Sequence, residues 1–352
     1  MLVCDIKKKL QGFSLDVNLV AKAGVTALMG ASGSGKSMTL RCVAGISKPD
    51  SGRIELNGVT LFDSEKRINL PPQARNTGFM FQDSALFPNM TARQNIMAGA
   101  KKKPRKERMA AAEALAETFH ISRHLDKYPH ELSGGEKQRC ALARIMAGSP
   151  DILMLDEPFA ALDSHLRWEL ELELAAAFAR FQKPVLYVSH NRDEVYRLCG
   201  DIAIIDLGKN EAARGKWDLF ENPGTVQAAR LTGCKNVAAA EVRGTRLFVS
   251  DWGVDFDCGE IRGDVRHVGI RANNIVPASA AEAAADVAAS FPFEIVSEIE
   301  DTFTCILMVR KRGTGLPPIR WEMRKKDRAA LKDMPQELAL LRKHILPLYK
   351  NI

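Results

Sequence analysis

The sequence has no run of about 18 apolar residues, so no segment is expected to cross a membrane as a helix. It has no C-x-x-C pair either. Cys4, Cys42, Cys140, Cys199, Cys234, Cys258 and Cys305 are scattered, which argues against a zinc site or a disulfide frame and for reduced thiols in the cytosol. Met1 to Gly12 carries three lysines with no apolar core behind them, so a secretory signal is not expected. Sustained heptads are missing, which removes a long coiled coil. The densest basic stretch, residues 101–108, lacks interleaved aromatics and reads as a solvated loop and helix start.

What remains is ordinary globular composition, 46% hydrophobic and 26% charged, in a chain of 352 residues that exceeds one typical domain. The formal net charge of +7 allows a nucleic acid, an anionic membrane surface or a nucleotide as partner. One stretch narrows the choice. Gly30-Ala31-Ser32-Gly33-Ser34-Gly35-Lys36-Ser37 meets G-x-x-x-x-G-K-[ST], between a short apolar strand, Val25 to Leu28, and a helix from Ser37 to Val43 that Gly45 can close. Glycines let successive N–H groups face phosphates, and the helix N-terminus adds its positive field. Lys36 is expected to reach the β and γ phosphates, and the Ser37 hydroxyl to hold Mg²⁺.

Residues 2–20 alternate as half-buried antiparallel strand. Asn76 to Asp83 reads as a strand ending in the amide of Gln82. From Thr91 to about Leu132 the pattern is helical, a helical insert in an α/β domain. It ends at Leu132-Ser133-Gly134-Gly135-Glu136, where Ser133 and Glu136 have capping-box spacing and the two glycines permit close backbone approach by an anion. Ile152 to Leu155 is a continuous apolar run, as in a central parallel strand, and delivers Asp156 and Glu157 at its C-terminal end. Asp156 suits Mg²⁺, directly or through water; Glu157 suits polarising an attacking water. The next strand, Pro184 to Val188, delivers His190.

Taken together these pieces resemble the ATP-binding subunit of an ABC transporter over about residues 1–235. The matching motifs are Walker A at Gly30 to Ser37, a Q-loop at Gln82, the signature at Leu132 to Gln138, Walker B at Ile152 to Asp156 with Glu157, a D-loop at Ala161-Leu162-Asp163, and a switch histidine at His190. The resemblance implies a P-loop NTPase of ABC type, with a helical insert at about 84–145. It implies ATP and Mg²⁺ as cofactors, Gln82 sharing the metal with Ser37 and Asp156, and Glu157 and His190 in catalysis. It also implies a head-to-tail homodimer in which Ser133, Gly134 and Gly135 complete the partner's site. Such a subunit acts at the cytoplasmic face of the cell membrane, on transmembrane permease subunits, and indirectly with an extracytoplasmic solute-binding protein; no nucleic acid is expected. The aromatic that usually stacks on adenine in this family is replaced by lysines near Gly24. Phe13 is the nearest aromatic, but its alternation places it with the core, so adenine contact is assigned to no residue.

Residues 236–352 carry short alternating runs and are expected to form a small β-rich accessory domain, with a hinge between about Glu221 and Asn236. Ala278 to Ala289 fits a linker or short helix, and Asp327 to Lys350 has helical composition. Within the family, Phe81 to Pro88 and the extra domain resemble importers, the molybdate importers above all; sulfate and ferric iron importers share the architecture. Thr302, Thr304, Arg320 and Lys325 are available as oxyanion ligands in that domain.

Overall fold

The computed structural model describes residues 1–352 apart from 82–84, 102, 161, 163, 262, 282–285, 332–333 and 350–352. Its backbone divides into two compact units, Met1–Lys216 and Trp217–Ile352.

The first unit opens with the antiparallel pair β1 (Leu2–Leu10) and β2 (Phe13–Ala21), turned at Gln11 and Gly12. Their alternation has a direct outcome: Leu2, Cys4 and Ile6 on one strand and Leu15, Val17 and Leu19 on the other are fully buried. The chain then enters β3 (Gly24–Met29) and helix α1 (Lys36–Ala44), which Gly45 closes in the left-handed conformation with its N–H on the Arg41 and Cys42 carbonyls. Strands β4 (Ser51–Leu56), β5 (Val59–Asp63) and β6 (Ile68–Asn69) extend the antiparallel side. The buried Arg75 binds this side to α1: its guanidinium donates to the carbonyls of Cys42, Val43 and Leu70 and to Asn69 Oδ1. A cation at a helix C-terminus answers both the free carbonyls and the dipole.

Next come β7 (Thr77–Met80) and the helical insert, α2 (Ala92–Gly99), α3 (Arg105–Thr118) and α4 (Gly134–Ala147). The chain returns through β8 (Ile152–Asp156), α5 (Ser164–Phe181), β9 (Pro184–Val188), α6 (Arg192–Leu198) and β10 (Asp201–Asp206). Strands β10, β3, β9, β8 and β7 run parallel in that order. Every residue of β8 and β9 is buried, which is why both read as unbroken apolar runs. Helix dipoles and strand ends thus meet along one edge, where Gly30, Glu157 and Ser189 leave the sheet.

The second unit is β-rich. It holds a three-stranded sheet of Asn236–Ala239, Val265–Ile270 and Ile345–Tyr349, a meander of Glu241–Arg243, Arg246–Val249 and Val254–Asp257, and a five-stranded sheet whose longest members are Val287–Glu300 and Thr304–Lys311. Trp321, Phe256, Phe291 and Leu307 lie in one shared core. Residues 221–236 carry a helix, Val226–Leu231, capped by the Thr225 side chain, and Ala278–Ala281 forms a helix as well. The helical expectation for 327–350 fails over most of its length. Helix Lys325–Ala330 is short, while Glu337–Leu341 and Ile345–Tyr349 are strands. Leu338 and Leu340 pair opposite Phe291 and Ala289 and bury completely, so cross-strand burial overrides the intrinsic helix preference of Glu-Leu-Ala-Leu-Leu.

Candidate functional site

Strand β3 stops where Gly30 passes under β10. A Cβ on Gly30 would lie 2.1 Å from the Ile205 carbonyl oxygen and 2.6 Å from Ser34 Oγ, so only glycine fits there. Ala31, Ser32 and Gly33 then bow outward and are exposed, while Ser34, Gly35 and Lys36 turn back into the protein. Gly35 ends the bow at φ 113°, which makes it the N-cap of α1 with no side chain of its own over the helix amides. The start of α1 therefore faces an exposed loop of backbone N–H groups, the arrangement that binds phosphate.

Lys36 is 6% exposed, and its Nζ donates to the carbonyls of Gly30 at 2.9 Å and Ala31 at 2.8 Å. Burial pulls its pKa below the ordinary lysine value, against the opposing charges of Glu157 and Asp156. One residue on, Ser37 Oγ donates to Asp156 Oδ1 at 2.8 Å. Asp156 is 7% exposed, and burial holds its carboxyl above the usual aspartate range despite the Ser37 hydrogen bond. A hydroxyl and a carboxylate brought together from residues 37 and 156 are hard oxygen donors, the kind Mg²⁺ takes from a protein when phosphates supply further ligands. Among the described residues no cluster of three or more His, Cys, Asp or Glu could hold a metal unaided.

Glu157 adopts φ 48°, with its N–H on the Val188 carbonyl at 3.0 Å. That bend turns its side chain toward the end of β9: Oε2 stands 3.4 Å from Nδ1 of the exposed His190. Beside the pair lies a cavity of about 20 Å³, bounded also by Arg167, Ser189, Asn191 and Glu194, with room for one water. Gln82 of the sequence reading lies outside the described residues, as do Ala161 and Asp163; Leu162 is buried.

The capping box at α4 is present in both halves: the Ser133 N–H donates to Glu136 Oε2 at 2.7 Å, and Glu136 N–H to Ser133 Oγ at 3.3 Å. Ser133 and Gly134 are exposed; Gly135 is buried against Leu166. Gln138 donates to the Pro158 carbonyl, which ties this helix start to the turn after Glu157. Among the described residues no hydrogen bond joins Ser133, Gly134 or Gly135 to the Gly30–Ser37 loop.

Two features escape sequence reading. Phe13 is half-buried, and a Cβ on Gly35 would lie 3.6 Å from its ring, so the aromatic assigned to the core borders the phosphate loop. Twenty-odd residues of sequence hide that proximity. The second is an open groove of about 550 Å³ lined by Phe79, Phe81, Phe87, Lys101, Lys103 and Arg144, among others. Arg144 lies 5.3 Å above the Phe87 ring and donates to the Ala85 carbonyl at 2.8 Å. In the second unit, Arg320 stands apart from Thr304 among the polar residues available for an oxyanion. Thr304 pairs opposite Arg324, whereas Arg320 pairs opposite Met308, four residues or roughly 13 Å along the strand. Arg320 is also bound to Glu322 and Lys325 to Glu300, at 3.1 and 2.7 Å, so carboxylates already answer both cations.

Residues 10–160 match the family model described as ABC transporter. The Molybdenum import ATP-binding protein ModC of Paramagnetospirillum magneticum is 45% identical over 224 residues, 64% of this chain and 62% of that protein. ModC of Rhodospirillum rubrum is 39% identical over 244 residues, 69% of this chain and 66% of that one. The chain thus spans a little less than two thirds of the length of these relatives. Among solved structures, a dimeric ATP-binding cassette in a post-hydrolysis state bound to ADP and Pi is 27% identical with a TM-score of 0.53, covering 61% of this chain and 98% of that one. The first unit has the ABC ATPase cassette fold.

Proposed function

We propose, from the ABC transporter domain this chain carries at residues 10–160, that it is the ATP-hydrolysing subunit of an importer, with molybdate or tungstate as the solute. The observation that carries the reading is the meeting of Ser37 and Asp156 at 2.8 Å beside Lys36, with Glu157 next in the chain. Residues 30–35 offer backbone N–H groups to the phosphates, and Lys36 exchanges its two carbonyl partners for the β and γ oxygens. Ser37 and Asp156 would hold Mg²⁺, which when bound would supply neutralisation of phosphate charge. Glu157 accepts hydrogen bonding from the attacking water, and His190, 3.4 Å from it, stands where the γ-phosphate would be sensed. Phe13, half-buried beside Gly35, is the aromatic nearest the loop for the base on this reading.

Among the described residues no hydrogen bond joins Ser133, Gly134 or Gly135 to their own Gly30–Ser37 loop, and two similar solved cassettes are dimers. We therefore assign them to the ATP of a second copy in a head-to-tail C2 pair. ATP then binds the closed pair better than the open one, and hydrolysis releases it, so the chain can drive another protein. No helix among the described residues is long and apolar enough to cross a membrane; on this reading the chain works with permease subunits. The groove beside Phe81 and Phe87, with its exposed aromatics, is where such a subunit would seat at the cytoplasmic face. Molybdate rests on the relatives' names. The experiment is uptake into cells lacking their own importer, supplied with this chain and its permease. Molybdate uptake competed by tungstate supports the reading; uptake competed by sulfate alone replaces the solute, and co-purification with ribosomes in place of a permease overturns the function.

A further inference from the structure

The Glu136 carboxylate is held at both oxygens. Oε2 accepts the Ser133 N–H at 2.7 Å, and Oε1 stands 3.2 Å from Nε2 of His124. His124 ends the short turn Ser122–His124, on the segment between α3 and α4. Its backbone is anchored, with its N–H on the Ile121 carbonyl at 2.9 Å and its own carbonyl accepting the Lys127 N–H at 3.1 Å. The other ring nitrogen, Nδ1, is buried with no hydrogen-bond partner. With Nδ1 buried, Nε2 is the ring nitrogen that meets the carboxylate. Burial pushes the Glu136 carboxyl up, but the Ser133 hydrogen bonds and the charges of His124 and Lys127 outweigh it and hold it below the ordinary glutamate value. The carboxylate is therefore charged and a strong acceptor at neutral pH.

A capping box alone leaves the outer carboxylate oxygen to water and the glutamate free to leave the helix start. With Oε1 in contact with His124 and Oε2 on Ser133, the side chain is fixed from two sides, and the Ser133 N–H keeps its acceptor. We propose that His124 is a positioning residue for the nucleotide-facing loop at the start of α4, acting through Glu136. The inference deepens the proposed function and rests on its assignment of this loop to the ATP of a second copy. His124 itself touches neither the Gly30–Ser37 loop nor, on this account, the nucleotide.

The test compares His124→Leu with His124→Gln in the full chain, the glutamine keeping an N–H donor at similar reach. ADP lacks the γ-phosphate and reads a chain's own loop, so its affinity reports folding of that site independently. His124→Leu should lower kcat/KM for MgATP about fivefold, from loss of a partly exposed contact to a charged group, with ADP affinity unchanged within twofold. His124→Gln should recover most of the loss. Turnover within twofold of the parent in the leucine variant, equal loss in both variants, or loss of ADP affinity in step with turnover would each overturn the role. Failure of the parent to hydrolyse ATP at all would instead defeat the function on which it rests.

Discussion

Replacing Gly30 by alanine tests how the phosphate loop is built. The added Cβ would lie 2.1 Å from the Ile205 carbonyl oxygen, over 1 Å inside ordinary contact, and that oxygen belongs to a fully buried residue. It would also press on Ser34 Oγ at 2.6 Å, whose backbone carbonyl receives the Gly208 N–H at 3.1 Å. Neither neighbour is the free end of a long side chain. The loop or β10 must therefore move by about an ångström, and overpacking of this kind against backbone costs roughly 3 kcal/mol or more. For a unit of this size about 3 kcal/mol lowers Tm by roughly 6–12 °C. Because Gly30 starts the loop that presents the N–H groups, ADP affinity should fall more than tenfold even at temperatures where the chain is folded. Thermal melting and ADP titration check both numbers. A variant that melts within 2 °C of the parent and binds ADP within twofold would refute the close-approach argument.

Asp156→Asn should raise Tm at pH 7 while removing Mg²⁺-dependent turnover. Burial holds this carboxyl above the ordinary aspartate value, so the folded chain binds its proton more tightly than the unfolded chain; the stability this gives is full below about pH 4 and lost as pH rises through the folded value. The Tm gain should therefore vanish at about pH 3.5, and a gain independent of pH contradicts it. Arg75→Met strips donors from the Cys42, Val43 and Leu70 carbonyls and should cost about 3–5 kcal/mol by chemical denaturation; a loss under about 1 kcal/mol would show that water replaces the guanidinium. A cysteine at Phe87 should cross-link to a cytoplasmic loop of the permease, and cross-links only from positions after 240 would move the coupling surface to the second unit.

Local strings carried most of the site. Gly30 to Ser37 declares itself because each residue type answers a backbone or phosphate requirement within eight positions, and β8 because burial on both faces leaves only apolar residues before Asp156. Contacts across long separations were not legible. Arg75 has no sequence mark of its four hydrogen bonds to residues 42, 43, 69 and 70, and Phe13 alternates with Leu15 and Val17 as a core residue would, yet borders Gly35. The second unit was read correctly as β-rich, but Glu337–Leu341 has helical composition and becomes a strand because Val287–Glu300 offers Leu338 and Leu340 a buried partner. Thr304 and Arg320, both available as oxyanion ligands, stand four residues apart along the strand, a separation set by register, which sequence does not give.

The most direct measurement is steady-state hydrolysis of MgATP by the parent chain and by Glu157→Gln, alongside binding of ATP to both. Lys36, Ser37 and Asp156 are untouched by the change, so binding should stay within a few-fold. The water loses its polarising carboxylate, so kcat should fall by about a hundredfold or more. Turnover near that of the parent at saturating MgATP would contradict the assignment of Glu157.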